Sequence, residues 1–429
     1  MKVALVYPEV YDIARYKEKR KEFPPFGVLY LGAFLEENNI EVSVFKISKD
    51  NIQCDFRGYE IVGFSIPSSV TYSIVKESRF GSLYSSDSVI VIGGVHSSFY
   101  PEQTLVDFQA NVVVIGSGEK TILEIVHMHD INDFSKIRGV CFLDGRSIVT
   151  TPERAVEKSI DWLPFPARHL LNEADFIMNN RLANTETRMT HIMLSRGCPF
   201  SCNFCATLQK KVQYRSGARA RMELEYLKRR YFIEGFAIVD DIFVINKNAV
   251  KSVCNSISDL GLRWLALSRV DTVDYELLEI MRNAGCIELK FGVESGSERI
   301  LRSMGKNISC NQIRQAITLA YSEGIKVKIF LIHGFPGENL ASTRDTISLL
   351  KDIAHMVDRV SLFRFVPLPG SYAFKNPKVF GLHIPEYIQD WDKFHIYHND
   401  YHWWGSMEDF RKVEISYREL EKFIADNWQ

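Results

Sequence analysis

Two hydrophobic patterns alternate along most of the chain. Short apolar runs, typical of buried strands, are followed by segments with apolar residues every three or four positions, typical of amphipathic helices. In the first part of the chain the runs predict five strands, at residues 2–7, 41–45, 60–66, 89–92 and 112–115. The segments between and after them predict helices at residues 26–38, 72–80 and 118–127. This alternation predicts a doubly wound, flavodoxin-like parallel sheet in a domain of residues 1–130.

The same alternation resumes after residue 185. Six strands are predicted at residues 191–195, 236–241, 264–270, 287–294, 327–333 and 360–366. Helices are predicted at residues 220–231, 247–260, 275–284, 312–323 and 341–356. Strands with crossover helices predict a parallel sheet curled as a partial (β/α)6 barrel over residues 186–370. Residues 131–185 are then a linker, and residues 371–429 a C-terminal cap that contributes to the substrate pocket and ends in a helix at 415–427.

Composition narrows the class of function. The 429 residues are 46% apolar and 24% charged, as in ordinary globular proteins, and 52 basic residues nearly balance 53 acidic ones. This balance gives no electrostatic footprint for nucleic acid or an anionic membrane. No apolar stretch approaches a membrane span, and the N-terminus lacks the apolar run of a signal peptide. We therefore expect a cytoplasmic protein that acts on a small molecule.

Three of the eight cysteines form a C-x3-C-x2-C cluster, at Cys198, Cys202 and Cys205. Three thiolates so close in sequence suit a metal. A zinc site needs four closed ligands, so zinc would require a remote fourth ligand. An iron–sulfur cube held by three thiolates would leave one iron open, as a catalytic cluster requires. The other cysteines are expected to be packing residues: Cys54, Cys141, Cys254, Cys286 and Cys310.

The spacing of the cluster, with Phe204 before its last cysteine, resembles the signature of the radical S-adenosylmethionine (radical SAM) superfamily. The ends of the predicted strands resemble further motifs of that family: Asp240-Asp241 on the second strand, Ser268-Arg269 in an "sRvd" segment, Glu294 in "GxES" and Gly334 in "GxPGE". The resemblance implies a [4Fe-4S] cluster on the three cysteines. It also implies that SAM binds the open iron and the strand-end residues. Whether Asp240 or Asp241 meets the SAM amino group stays open.

The first domain resembles the cobalamin (B12)-binding domain of one radical SAM branch. Residues 23–33 resemble its "PPLGLAYLAA" helix start, residues 93–102 its "GGxHPT…PE" segment and residues 116–121 its "GEGExT" segment. No D-x-H-x-x-G motif is present, so the resemblance implies base-off, His-off cobalamin above the loop 65–71. The implied cobalamin-binding residues are Ser65, Ser68, Ser69, Thr71, Gly93, Gly94, Gly116, Gly118 and Glu119.

Together these resemblances imply a cobalamin-dependent radical SAM methyltransferase. The reduced cluster would cleave SAM to a 5′-deoxyadenosyl radical, and methylcobalamin would deliver a methyl group to an unactivated carbon or phosphorus of a metabolite or natural-product intermediate. The implied electron donor is a flavodoxin or ferredoxin. A radical SAM cyclase or ring-rearranging enzyme is the alternative, and a non-catalytic iron–sulfur or cobalamin-binding protein a more distant one. Substrate identity, oligomeric state and the roles of His395, His398 and His402 are not determined by the sequence.

Overall fold

The structure is a computed structural model that describes residues 1–9, 24–129, 133–182, 185–386, 388–395 and 402–428. The chain divides into two compact units. The first comprises Met1–Glu157, Trp162–Phe176 and Tyr387–His395, and the second Lys158–Asp161, Ile177–Glu386 and Ile396–Gln429. None of the helices in these described ranges combines the length and the apolar character needed to cross a membrane.

The first unit is built on a seven-stranded sheet in the order β2-β1-β3-β4-β5-β6-β7. Its strands are β1 (Lys2–Pro8), β2 (Glu41–Ile47), β3 (Ile61–Ser65), β4 (Val89–Gly93), β5 (Val112–Val114), β6 (Val140–Asp144) and β7 (Ser147–Thr150). The helices are α1 (Phe26–Glu37), α2 (Tyr72–Gly81), α3 (Val95–Phe99), α4 (Pro101–Phe108) and α5 (Glu119–Met128). Strands β1 to β5 are parallel, and their order 2-1-3-4-5 is that of flavodoxin-like sheets. The predicted fold class of this half is confirmed.

The first sheet extends beyond the five predicted strands. β6 pairs antiparallel with β5, and β7 pairs antiparallel with β6. Both strands fall in the stretch that the sequence pattern assigns to the linker. They cover the free edge of β5, and residues Val140, Cys141 and Phe142 of β6 are buried.

The second unit contains another seven-stranded sheet, in the order β16-β15-β14-β13-β12-β9-β8. Its strands are β8 (Met178–Leu182), β9 (Thr185–Ile192), β12 (Gly235–Ile238), β13 (Arg263–Ser268), β14 (Cys286–Glu294), β15 (Lys326–His333) and β16 (Arg359–Arg364). A separate ribbon pairs β10 (Ser195–Arg196) with β11 (Gln213–Tyr214). Strands β9 and β12 to β16 are parallel, and β8 adds an antiparallel edge. The six parallel strands confirm the predicted half-barrel.

Helices connect the parallel strands of the second unit, and three more helices follow its last strand. They are α6 (Gly217–Tyr231), α7 (Lys247–Ile257), α8 (Tyr275–Asn283), α9 (Glu298–Ser303), α10 (Cys310–Ser322), α11 (Leu340–Ile353), α12 (Tyr372–Lys375), α13 (Pro377–Phe380) and α14 (Met407–Asn427). Local sequence fixes where several of them begin, because Ser216, Asn246 and Asp274 accept backbone N–H groups of the first turn. Helix α14 begins eight residues before its predicted start, at a capping box formed by Ser406 and Asp409.

Candidate active site

The three clustered cysteines lie in the loop that joins β10 to β11 in the second unit. Because these two strands pair, the loop leaves and returns at one point. Cys198, Cys202 and Cys205 are free thiols of intermediate exposure. Burial raises the pKa of Cys198 and of Cys202, and the nearby Cys205 raises both further. Within the described ranges no group of three or more His, Cys, Asp or Glu side chains converges so as to hold a metal ion. The three thiols thus share one loop but do not converge on a common point.

Asn203 anchors the cysteine loop to the rest of the unit. Its backbone N–H donates to Met304 O at 2.8 Å, and its Nδ2 donates to Ser303 O at 2.8 Å. Its own carbonyl accepts from the backbone N–H of Ala373 at 2.9 Å. Three hydrogen bonds at a single residue hold the middle of the loop between Cys202 and Cys205.

Arg269 follows β13 and reaches the cysteine loop. One of its Nη atoms lies 3.7 Å from Cys202 Sγ, within hydrogen-bond reach of a sulfur acceptor. Asp271 holds the guanidinium through two hydrogen bonds, of 2.8 and 3.0 Å, and Lys306 O accepts a third at 2.8 Å. The guanidinium carbon lies 3.7 Å from the ring centroid of Phe200. The side chain is only 7% exposed, so a fixed positive charge stands beside one of the thiols.

The two adjacent aspartates after β12 have different surroundings. Asp240 is buried, and its two oxygens accept from Leu194 N at 2.8 Å and Ser195 Oγ at 2.7 Å. Burial raises the pKa of Asp240 to about 7. Asp241 accepts from Gly197 N at 3.1 Å and stays exposed, although local desolvation also raises its pKa. Asp240 is thus occupied by the protein's own donors, whereas Asp241 has a carboxylate available to a ligand.

A buried ion pair lies at the end of β14. Lys306 Nζ is 2.7 Å from Glu294 Oε1, and both side chains are less than a tenth exposed. The same Nζ lies 5.9 Å from the ring centroid of Phe204 in the cysteine loop. Glu294 has φ +65°, a left-handed conformation that is uncommon for a non-glycine residue and is often found at functional sites. Ser268, at the end of β13, uses its hydroxyl within its own turn, on Arg269 O at 3.1 Å.

The Gly334 loop follows β15 and is fixed from two sides. Trp404 Nε1 donates to Gly334 O at 2.8 Å. Glu338 is buried, accepts from Ser342 Oγ at 2.8 Å, and has its pKa raised to about 7 by that burial. These contacts hold the loop at the carboxyl end of the sheet, together with the ends of β12, β13 and β14. Active sites of barrel enzymes are found at this end.

The first unit brings its predicted residues to the carboxyl edge of its own sheet. Ser65 ends β3, Gly93 ends β4, and Gly116 follows β5. Gly94 has φ +110°, and a Cβ there would lie 2.5 Å from Ile66 O. Only glycine permits so close an approach to the loop 65–71.

The other predicted cobalamin residues line the same edge or begin the next helices. Thr71 Oγ1 donates to Ser68 O at 2.8 Å, and both Ser69 and Thr71 are buried. Gly118 is the N-cap of α5, and Glu119 is its buried first residue. Ser68 remains exposed.

His96 is a buried polar residue at this edge that the sequence motif alone did not explain. Its Nδ1 lies 2.9 Å from Ser69 Oγ, while its Nε2 is buried and has no hydrogen-bond partner among the residues that the structure describes. Burial lowers the pKa of His96 to about 3, so the ring is neutral. The rings of Tyr72 and Trp391 lie 4.8 and 4.6 Å from it, centroid to centroid. Trp391 belongs to the C-terminal segment Tyr387–His395, which groups with the first unit.

Comparison with family models decides between the possible families. Residues 18–126 match the model "B12 binding domain", and residues 192–350 match the model "Radical SAM superfamily". The chain therefore combines a B12-binding domain with a radical SAM domain. The cofactors that these domains imply are a [4Fe-4S] cluster, SAM and cobalamin.

The cysteine loop fits the cluster, since it offers three free thiols, one of which, Cys202, lies beside the guanidinium of Arg269. The first unit fits cobalamin for two reasons. At the carboxyl edge of its sheet, Gly94 allows its backbone to lie close to Ile66, and His96 Nε2 is buried with no hydrogen-bond partner among the described residues.

Known relatives include methyltransferases and cyclases. The chain is 28% identical to an uncharacterized methyltransferase of Pyrococcus horikoshii over 88% of this chain and 84% of the relative. It is 24% identical to the anaerobic magnesium-protoporphyrin IX monomethyl ester cyclase of Rubrivivax gelatinosus, over 88% and 70%. It is also 24% identical to the cytidylyl-2-hydroxyethylphosphonate methyltransferase of Streptomyces wedmorensis, over 81% and 76%.

A solved structure supports the fold. The radical S-adenosylmethionine methyltransferase TsrM from Kitasatospora setae, solved with cobalamin and a [4Fe-4S] cluster, superimposes with a TM-score of 0.67. The superposition covers 90% of this chain and 76% of TsrM, at 17% identity.

Several residues of these sites carried no sequence signal. Lys306 lies between predicted elements, twelve residues after Glu294. Neither Asn203 nor Trp404 is specified by any of the motifs that the sequence singles out. Of the three C-terminal histidines, His395 is buried in the first unit and His402 lies 5.0 Å from His383, ring to ring. His398 lies outside the described residues.

Proposed function

We propose that this enzyme is a cobalamin-dependent radical SAM methyltransferase that methylates an unactivated carbon, or a phosphorus, of a small-molecule metabolite or natural-product intermediate. One observation carries the proposal. A B12 binding domain and a radical SAM domain occur in one chain, and relatives named as methyltransferases align with most of it.

Cys198, Cys202 and Cys205 are the proposed ligands of the cluster. Bound cofactors of this family supply a 5′-deoxyadenosyl radical from SAM and a methyl group carried by cobalamin. The protein's part is to bind these groups, orient them and exclude water. Asn203 contributes by fixing the loop, because its three hydrogen bonds restrict the cysteines on either side.

Asp241 is the proposed partner of the SAM ammonium group. Its carboxylate is exposed and, within the described part of the chain, accepts a single hydrogen bond, from Gly197 N, so it can accept another from a ligand. Asp240 is instead proposed as a support, because Leu194 N and Ser195 Oγ already use both of its oxygens. An ammonium–carboxylate hydrogen bond is stronger than a neutral one and would orient SAM.

Glu294 is the proposed acceptor for the SAM ribose. Lys306 orients it through their 2.7 Å contact, and the second carboxylate oxygen can accept from a ribose hydroxyl. Gly334, Ser268 and Phe204 are proposed to line the nucleoside and the cluster. Gly334 is held for this by Trp404.

Cobalamin is proposed to bind over the carboxyl edge of the first sheet. Ser65, Ser68, Gly93 and Gly116 are at least partly exposed there and are the proposed contact residues. Three further residues are buried and two are half-buried, and all five are proposed to shape the loops beneath the cofactor: Ser69, Thr71 and Glu119, with Gly94 and Gly118.

The remaining proposals concern partners and location. A radical SAM enzyme needs a reductant, and we propose that a flavodoxin or ferredoxin supplies the electron. We propose no nucleic-acid or membrane partner. All eight cysteines are free thiols, which fits the reducing cytoplasm. Residues 402–428 are proposed to contribute to the substrate pocket through Trp404, which contacts the Gly334 loop.

Anaerobic purification with cobalamin supplied tests the proposal. Iron, sulfide and corrinoid are assayed first, and candidate substrates are then incubated with SAM and a low-potential reductant. A methyltransferase should form S-adenosylhomocysteine and 5′-deoxyadenosine in step with methylated product. The triple Cys198→Ala, Cys202→Ala, Cys205→Ala variant should contain no cluster iron and form no 5′-deoxyadenosine; product from this variant would refute the proposal.

A cyclase or rearranging enzyme is the second candidate. The Rubrivivax relative, named as a cyclase, matches 88% of this chain, so sequence similarity alone does not separate the two. The same assay does. Formation of 5′-deoxyadenosine and product without S-adenosylhomocysteine would favour this second function.

A further inference from the structure

We propose that Arg269 raises the reduction potential of the iron–sulfur cluster by donating an N–H···S hydrogen bond to the thiolate of Cys202. The inference rests on the cluster site proposed above and concerns a property of the cluster rather than its presence. The observation behind it is the 3.7 Å approach of an Arg269 Nη to Cys202 Sγ.

The guanidinium is held in this position by the protein itself. An arginine side chain has five N–H groups. The Nε proton and both protons of one Nη are used, by the two oxygens of Asp271 and by Lys306 O. Of the two protons on the remaining Nη, one points to Cys202. Phe200 packs against the guanidinium at 3.7 Å, which further restricts its movement.

This arrangement leaves few N–H groups of Arg269 free to bind SAM. The sequence resemblance places Arg269 among the SAM-binding residues, but at most one of its N–H groups remains for a ligand. Bidentate recognition of a carboxylate would require the guanidinium to release Asp271 or Lys306 O. Cys202, 67 residues away in sequence, is the group that Arg269 already reaches.

The expected sign follows from charge. In the step concerned the oxidised [4Fe-4S]2+ cluster takes one electron from a low-potential one-electron donor and becomes [4Fe-4S]+, and no proton moves. The added negative charge spreads over the irons and their sulfur ligands. A cationic donor fixed at Cys202 therefore stabilises the reduced state more than the oxidised state. Because the Arg269 side chain is only 7% exposed, salt screens its charge weakly.

The test is an EPR-monitored redox titration of the reconstituted full-length enzyme without SAM. The variant Arg269→Gln should show a one-electron reduction equilibrium about tenfold less favourable than wild type, equivalent to about 59 mV. Arg269→Lys should shift in the same direction, because an ammonium lacks the fork that Asp271 holds. Arg314→Gln is the matched control. It removes an exposed guanidinium that is also held by an aspartate, Asp352, and should leave the potential unchanged.

Iron and sulfide counts distinguish a failure of the proposed cluster site from a failure of the proposed role of Arg269. Wild-type protein without iron would refute the proposed cluster site. Full iron in Arg269→Gln with a wild-type potential would refute only the role of Arg269. The same holds if Arg269→Gln loses SAM affinity but keeps its SAM-free potential, since Arg269 would then be a SAM ligand. A wild-type potential in Arg269→Lys with a shifted Arg269→Gln would mean that charge alone acts, and would overturn the hydrogen bond.

A second measurement uses the wild-type enzyme, so a folding defect in a variant cannot affect its result. Wild-type enzyme is labelled with arginine carrying 15N in the guanidinium, and the reduced cluster is examined by pulsed EPR. A 15N coupling should be present in wild type, because a donor nitrogen lies in contact with a cluster ligand. Absence of that coupling in the loaded enzyme would overturn the proposal.

Discussion

Gly94 offers a sharp test of the proposed cobalamin edge. We expect Gly94→Ala to destabilise the first unit and to lower retention of cobalamin. The substitution places a methyl group 2.5 Å from Ile66 O, 2.7 Å from Ile66 C and 2.9 Å from Ile66 N. All three are backbone atoms, so no side chain can rotate away. The loop 65–71 itself has to move.

The magnitude has two parts. A non-glycine residue at φ +110° costs about 1–3 kcal/mol in backbone strain. Overpacking against a fixed backbone costs about 1–3 kcal/mol more. We therefore expect a loss of about 2–6 kcal/mol in the free energy of unfolding, unless the loop relaxes. Any relaxation would break the hydrogen bonds that Ile66 makes with Gly93 O at 2.8 Å and with His96 N at 3.1 Å.

Two neighbouring glycines are matched controls. Gly116 has φ +77° but nothing within 4 Å of its would-be Cβ, so Gly116→Ala should cost only the strain, about 1–2 kcal/mol. Gly93 is not in the left-handed region, and its nearest neighbour is Val114 Cβ at an ordinary 3.9 Å. Gly93→Ala should therefore be neutral or stabilising by up to about 1 kcal/mol. The three variants separate strain from steric overlap.

The assay combines urea unfolding of the full chain with hydrogen exchange of peptides containing Ile66 and His96. Corrinoid retained after gel filtration is measured in parallel. Gly94→Ala should show the lowest unfolding midpoint, the fastest exchange at both amides and the least corrinoid. The reasoning would be refuted if Gly94→Ala unfolded no more easily than Gly116→Ala, or if its exchange at these amides matched wild type.

Three further predictions concern the second unit. Asp241→Asn should weaken SAM binding to the reconstituted enzyme by about tenfold or more, measured by equilibrium dialysis, because a charged partner of the ammonium is lost; Asp240→Asn is the control, and an equal loss there would contradict the assignment. The pKa of Glu338 in the folded protein is about 7, above its ordinary value. Between about pH 4.5 and pH 7 the folded state therefore keeps a proton that the unfolded state has lost, and the free energy of unfolding falls as the pH rises through this range. Glu338→Gln should therefore gain up to about 3 kcal/mol over wild type between pH 5 and pH 8 in urea unfolding, and a pH-independent difference would contradict this. Asn203→Ala removes the 2.8 Å side-chain bond to Ser303 O and should cost about 1 kcal/mol and increase iron loss during chelator challenge, whereas iron retention equal to wild type would count against the anchoring role.

Much of the architecture could be predicted because it is written in local patterns. β4 is a run of apolar residues, and β15 alternates buried with half-buried positions. The helices between the strands of each sheet have apolar faces, so these signals all lie within a few consecutive positions. The edge strands β6 and β7 escaped prediction. β6 pairs with β5 and β7 pairs with β6, and two of the five residues of β6 are exposed, so the sequence pattern of these strands is weak.

The two domains, the cysteine loop and the glycines of the first sheet could be predicted from the chain alone, because hydrophobic pattern, residue type and spacing are properties of the linear sequence. Tertiary structure alone decided how those residues are used. Asp240 and Asp241 are adjacent and chemically identical, and only the donors folded around them distinguish a support from an available carboxylate. Arg269 and Cys202 meet across 67 residues, a contact that no local period encodes. Such contacts are set by how the strand ends and loops pack together, and this depends on the whole unit being folded.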